Sequence, residues 1–462
     1  MIELLMIAAV AAVPQEIDSV EAPTMITLED ALRIALSENV SVKVADKEIE
    51  RTGYAKKGAY ASLFPQIDGS ASYQRTIKKQ VMYMDFDMPG MGGGSDESGG
   101  GAGGITPGGG IEVGRWNTWS TGLTAAMPLV NAQLWQSLKI SAQDVELAVE
   151  KARGSRLEMV TQVKNAYFNV LLAKETFDVY KNVYENALAN YNRTELKYNA
   201  KRASELDLTR AKSTLQNSIP EVYDAESSIV LGLWQLKAVM GVDLDMNIDV
   251  TGSLRDYAET MFYDIHSNDD PSLDRNTSLR QLAIQAEELA NTIKLQQYAY
   301  IPSLAVSFSY SLNAMTNDFK FSEYKWSPYS AVGLSLSIPI FSGGKRLNQV
   351  KQAKVQYSEL EMQRYETERQ LRISIRQYLN VMETAMQNYT AAQVAEQTAN
   401  KAYEIARSSY EVGKSTLTDL NDALLALVRA QLSVSQSIYS FIVAKSGLEQ
   451  TLGKDFNEET NE

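Results

Sequence analysis

Residues 63–73 read LFPQIDGSASY, and residues 300–310 read YIPSLAVSFSY. The stretches align Pro65 with Pro302 and Tyr73 with Tyr310, an offset of 237 positions. In the second, Leu304, Val306, Phe308 and Tyr310 alternate with Ser303, Ala305, Ser307 and Ser309. That period of two predicts a strand with one apolar face and one small, polar face. Upstream, Asn39-Val40-Ser41 and Asn276-Thr277-Ser278 keep the same offset. Downstream it drops to 211, where Gly122-Leu123 and Pro128 match Gly333-Leu334 and Pro339, and AYFNV at 166–170 matches QYLNV at 377–381. It becomes 212 for Asp207-Leu208 against Asp419-Leu420, Ala211 against Ala423, and the closing Gly241 against Gly453. A register held this far marks an internal duplication.

Each copy has the same order: helix, strand, loop, strand, long helix, turn, long helix. Thr27 and Asp30 form a capping pattern that opens a helix expected to run to about Ser62. Strands are expected over 66–74 and 117–127 in copy one, the latter ended by Pro128, and over 303–312 and 329–338 in copy two. The long helices carry heptads. Met159, Val163, Ala166, Val170, Ala173, Phe177, Tyr180, Tyr184, Ala187 and Tyr191 keep a 4-3-4-3 spacing, and Leu371, Ile375, Tyr378, Met382, Ala385, Tyr389 and Ala392 do the same. Such spacing specifies left-handed coiled-coil packing. These stripes are core, not a cofactor box. The fold class is therefore mainly α with a β part. Repeat 1 spans 26–241 with a glycine-rich loop over 75–115, a linker covers 242–275, repeat 2 spans 276–453, and a polar tail covers 454–462.

Composition narrows the function. The 462 residues hold 44 Lys and Arg against 57 Asp and Glu, one His, His266, and no Cys. Without cysteine there are no disulfides, thiolate metal sites, cysteine nucleophiles or cysteine-linked lipid anchor. One histidine argues against a His-rich metal site or a serine triad. A net charge of -13 argues against a duplex nucleic-acid binder, whose affinity comes mainly from neutralising phosphates. Gly99, Gly101 and Gly104 match a dinucleotide fingerprint, but no strand and helix flank them. Gly413-Lys414-Ser415 lacks the upstream glycine of a phosphate loop, since position 408 is Ser408. No catalytic constellation, metal site or cofactor site emerges. Met82, Met84, Met88 and Met91 border the glycine loop and read as surface.

The longest apolar run, Leu4 to Val13, is too short to span a bilayer as a helix. Its small residues suit a secretory signal core, although Glu3 stands where a positive residue is usual, so residues 1–25 are expected to be a signal peptide and N-terminal segment. A β-barrel remains open as a membrane element. Open sheet edges cannot face lipid, and four strands are too few to close, so several chains must join. Two chains give eight strands and three give twelve.

These features together resemble the TolC family of outer-membrane efflux proteins. The residues that carry the resemblance are Leu28-Glu29-Asp30-Ala31-Leu32 through Asn39, the Pro65 and Pro302 strand starts, GLSLSIPIFSGG at 333–344 and YEVGKSTLTDL at 410–420. The resemblance covers about 26–455. It implies a homotrimer whose 12-stranded barrel lies in the outer membrane, continued by a 12-helix tunnel in the periplasm. It implies no enzyme activity. It also implies a periplasmic adaptor and an inner-membrane pump of RND, ABC or MFS type as partners, with outer-membrane lipid around the barrel. The turns after Tyr198 and Tyr410 would be periplasmic tips touching the adaptor through Lys201, Arg202, Ser204, Val412, Gly413, Lys414 and Ser415. Asp419 and Asp422 match positions of carboxylate rings at the closed end, Tyr410 a constriction residue, and Asp207 its polar partner in copy one. The family often has Arg where Ser415 stands. The competing reading is a periplasmic coiled-coil adaptor, which would carry one helical hairpin flanked by β-rich halves rather than two.

Overall fold

The computed structural model describes residues 23–83, 110–259, 261–264 and 272–455. The apolar run at 4–13, most of the glycine-rich loop, Met84, Met88, Met91, His266 and the tail from 456 lie outside the described residues. In chain order the first half runs β1 (Thr24–Ile26), α1 (Leu28–Glu38), α2 (Val40–Ala61), β2 (Gln66–Arg75), β3 (Gln80–Tyr83), β4 (Gly110–Val113), β5 (Asn117–Val130), α3 (Ala132–Asn199) and α4 (Glu205–Met240). The second runs β6 (Ile248–Val250), α5 (Met261–Asp264), α6 (Thr277–Tyr298), β7 (Ser303–Thr316), β8 (Ser327–Ser337), α7 (Lys345–Glu411) and α8 (Leu417–Leu452). No described helix is long and apolar enough to cross a membrane.

Two compact units share the chain. One comprises 51–145 and 286–359 and holds an antiparallel sheet in the order β2-β5-β7-β8. Its register puts Tyr73 opposite Trp119, Trp119 opposite Ala314, and Tyr310 opposite Ser330. Alternation then assigns every side chain to a face. One face carries Ile67, Leu123, Val306, Phe308, Val332 and Leu334. The other carries Ser70, Ser120, Thr124, Ser307, Ser309 and Ser335. Large apolar residues such as Ile67, Val332, Leu334 and Leu336 are exposed in the single chain. Gly122 permits the approach of β5 to β7, because a Cβ there would lie 2.5 Å from the Tyr310 carbonyl oxygen. Within the described residues β2 and β8 each pair on one side only, so both edges of the sheet are open.

The strands are longer than expected. β5 continues past Pro128 to Val130 through an irregularity between those two residues; a bulge is where a strand tolerates a residue without an N–H. The 75–115 segment also holds the antiparallel pair β3–β4, which its glycine content concealed.

The other unit comprises 1–50, 146–285 and 360–462. Its core includes Met159, Val163, Ala166, Tyr167 and Val170 of α3, Ile375, Met382 and Ala385 of α7, and Val434, Ile438, Phe441 and Leu448 of α8. The heptad stripes thus face inward. β1 and β6 pair in parallel, a contact absent from the sequence reading. The Tyr167 hydroxyl donates to the Thr251 carbonyl at 2.6 Å and ties that pair to α3. Burial, chiefly, pushes the Tyr167 phenol above its usual pKa.

A helix running unbroken to Ser62 is corrected here. The chain leaves helical geometry at Asn39, with φ -62° and ψ 131°, so α1 and α2 are separate. The Asn39 side chain accepts from the Ser41 N–H at 2.7 Å and donates to the Val239 carbonyl at 2.7 Å. The duplicate does the same: Asn276 accepts from the Leu279 N–H at 3.0 Å and donates to the Thr451 carbonyl at 2.7 Å. Behind each asparagine sits the glycine that ends the returning helix, Gly241 at φ 75° and Gly453 at φ 71°. A Cβ on Gly241 would press on the Asn39 backbone, and one on Gly453 on the Arg275 carbonyl. Each helical hairpin is therefore clasped by an Asn–Gly contact.

Candidate functional site

The ends of the hairpins bring most of the sequence-derived site residues together. α3 and α4 are joined through 200–204, α7 and α8 through 412–416. Both turns have the same hydrogen bonds. Lys201 N–H donates to the Tyr198 carbonyl at 2.8 Å and Arg202 N–H to Lys197 at 2.7 Å; Gly413 N–H donates to Tyr410 at 3.1 Å and Lys414 N–H to Ser409 at 2.8 Å. This double bond pattern closes a helix when one residue adopts the left-handed region. Gly413 does so at φ 75°. Its counterpart Lys201 does so at φ 59°, the only described non-glycine residue with positive φ. Arg202, Val412 and Lys414 are exposed at the turns. Ser415 donates to the Ala406 carbonyl at 3.3 Å.

The returning helices start identically. Ser204 caps α4: its hydroxyl donates to an Asp207 carboxylate oxygen at 2.7 Å and accepts from the Asp207 N–H at 3.1 Å. Thr416 caps α8 in the same way with Asp419, at 2.8 and 3.2 Å. The Thr416 backbone N–H, which donates to the same carboxylate at 2.9 Å, and then the Thr416 hydroxyl hold the Asp419 carboxyl below the usual carboxylate range. Asp207 and Asp419 therefore anchor helix starts, while Asp422, one turn on, is exposed.

Apart from Tyr410, the two hairpins are joined by residues that the sequence did not single out. Tyr410 shares a hydrogen bond with Thr194 at 3.1 Å, and Thr194 is completely buried. The Lys197 ammonium lies 4.8 Å from the centre of the Tyr410 ring. Arg193 pairs with Glu411 at 2.9 Å, and the Asn421 amide donates to Thr214 at 3.3 Å. Below them Tyr403, Leu417, Leu420 and Leu424 pack with Tyr180 and Tyr191 in a small apolar core. Within the chain Asp207 bonds to Ser204, and the residue that meets Tyr410 across the hairpins is Thr194. Thr194 lies one helical turn before Tyr198, the copy-one counterpart of Tyr410, and that neighbourhood was the available clue.

No group of acidic or histidine side chains suited to a metal ion occurs among the described residues. Long duplicated hairpins and a four-stranded sheet with one apolar face are the architecture on which comparison with known proteins bears. The family model for outer membrane efflux proteins matches residues 31–242 and 270–454. The chain belongs to this family. Relatives similar to it include the outer membrane protein TolC of Vibrio cholerae, 21% identical over 72% of this chain and 76% of that protein. TolC of Escherichia coli is 20% identical over 73% of this chain and 70% of that protein. Among solved structures, the Campylobacter jejuni CmeC outer membrane channel superposes with a TM-score of 0.70 at 20% identity, covering 94% of this chain and 88% of that one. The Neisseria gonorrhoeae MtrE outer membrane channel, in its open state, gives 0.69 at 16% identity, covering 92% and 88%. This efflux protein is thus an outer-membrane channel, and its family is one of transport rather than catalysis.

Proposed function

We propose that three copies of the chain close their sheets into one 12-stranded barrel, and that the clasped hairpins form a periplasmic tunnel gated at the two turns. The open β2 and β8 edges carry this reading. In hydrocarbon each unpaired backbone group costs several kcal/mol, so both edges must be paired, and channels of this family work as trimers with adaptor and inner-membrane pump partners. β2 of one protomer pairs with β8 of the next, the exposed apolar face turns to lipid, and the serine-rich face lines water.

The gate is the tip. Thr194–Tyr410, Lys197–Tyr410 and Arg193–Glu411 hold the two hairpins of a protomer together. Opening exchanges these contacts for others, and the exposed Lys201, Arg202, Val412, Gly413 and Lys414, with the half-buried Ser415, receive the periplasmic adaptor, which connects to an RND, ABC or MFS pump. Asp419 and Asp422, repeated in three chains, place carboxylates around one axis, where they attract cations and repel anions. In planar bilayers the double variant Asp419→Ala, Asp422→Ala should raise conductance and weaken block by multivalent cations several-fold. Block unchanged from wild type would remove the gate role.

A further inference from the structure

The polar face of the sheet is almost without charge. Reading the register across β2, β5, β7 and β8, that face presents Ser, Thr, Gly, Ala, Asn and Gln residues, with Pro128 toward the helix end and Met315 and Tyr329 toward the loop end. One ionisable carboxylate interrupts it: Asp68, third residue of β2, in line with Thr124 and Ser309. Asp68 is exposed, and no lysine or arginine among the described residues pairs with it. Its neighbours on either side of that face, Gln66 and Ser70, are neutral. The helices join the sheet at 66, 130, 303 and 337, so Asp68 lies at the helix end of the strands.

We propose that Asp68 is a charge filter in the barrel wall, distinct from the tip gate, which favours cationic and neutral cargo over anionic cargo. The proposal rests on the trimeric barrel argued above, where three-fold symmetry makes one carboxylate a ring of three. Twelve strands about 4.8 Å apart and tilted by about 40° close at a radius of about 12 Å, which puts each carboxylate about 10 Å from the axis. A neutral hydroxyl wall offers no competing fixed charge, so the ring sets the sign of the local potential. Three unit charges at that distance in water enrich a monovalent cation on the axis about four-fold at 10 mM salt, where the screening length is about 30 Å. At 1 M, with a screening length of about 3 Å, the enrichment is about 1.1-fold. A wide ring therefore selects at low ionic strength and is silent at high, whereas a narrow constriction selects under both.

The test isolates the barrel from the tip. Pores of the full chain carrying Asp419→Ala and Asp422→Ala are compared in planar bilayers with and without Asp68→Asn, by reversal potential in KCl gradients. The expected result is that Asp68→Asn lowers the potassium-to-chloride permeability ratio several-fold near 10 mM and leaves it unchanged near 1 M. Asp68→Lys should invert the preference at low salt. Conducting pores with the same ratio in all three would overturn the Asp68 filter and leave the barrel standing. A chain that inserts but forms no pore, with or without the substitutions, would overturn the barrel reading and the filter with it.

Discussion

Three glycines end helices with nearly the same left-handed backbone but different surroundings, and substituting alanine at each separates strain from collision. Gly413, Gly241 and Gly453 have φ values of 75°, 75° and 71°, so an alanine faces the same backbone penalty at all three, about 1 kcal/mol. A Cβ on Gly413 would meet nothing within 4 Å. On Gly241 it would lie 2.9 Å from the Asn39 Cα and 3.0 Å from the Glu38 carbonyl oxygen. On Gly453 it would penetrate the Arg275 carbonyl, with its carbon only 2.7 Å away. Backbone cannot swing aside as a side chain can, so at Gly453 the clasp must open. That opening forfeits the buried Asn276 bonds to Thr451 and Leu279, at roughly 1 kcal/mol each. Gly413→Ala should then cost about 1 kcal/mol, Gly241→Ala about 2, and Gly453→Ala about 3 or more. Hydrogen exchange read by mass spectrometry in detergent micelles checks this. Amides at 273–280 and 447–453 should exchange about 100-fold faster in Gly453→Ala, while Gly413→Ala changes only peptides at the turn. Equal effects for Gly413→Ala and Gly453→Ala would refute the claim that the clasp depends on close backbone approach.

Lys201→Gly should stabilise the copy-one turn by up to about 1 kcal/mol, because glycine adopts the left-handed region that Lys201 is forced into; slower exchange of the amides at 200–204 measures it, and faster exchange would contradict the strain. The Asp419 cap should respond to acid. Its carboxyl titrates below the usual range because Thr416 bonds to the charged form, so its contribution is complete above the unfolded carboxylate value near 4 and lost as pH falls through the lower folded value. Amides at the start of α8 should fray on acidification through that window, and Thr416→Val, which loses the hydroxyl but keeps the backbone N–H bond to Asp419, should weaken that pH dependence without abolishing it.

Much of this architecture was legible because the duplication repeats its punctuation. Pro65 and Pro302, Asn39 and Asn276, and Gly241 and Gly453 mark ends that local chemistry enforces, and the heptads from Met159 and from Leu371 fixed which helix faces turn inward. What stayed hidden depends on partners remote in sequence. The β1–β6 pair joins three-residue strands more than 200 positions apart and too short for a periodic signal. Thr194 reads as an ordinary helix-surface threonine until Tyr410, 216 positions away, covers it. The break at Asn39 was visible as a conserved spacing between copies but not as a helix end, because its capping partner Val239 lies in another helix. The aspartates were legible as positions, whereas the assignment of Asp419 and Asp207 to helix starts needed the hydroxyls of Thr416 and Ser204 in place.

The Asn–Gly clasps have a mechanical meaning. α4 and α8 each contain 36 residues, a rod of about 54 Å, held at one end by Gly241 or Gly453 and free of any such restraint at the other. Pivoting such a lever by about 5° at its fulcrum carries its far end about 5 Å, more than the reach of the Asn421–Thr214 hydrogen bond that joins α8 to α4 there. A small tilt at the fulcrum is thus enough to part that far contact completely, with no helix needing to unwind.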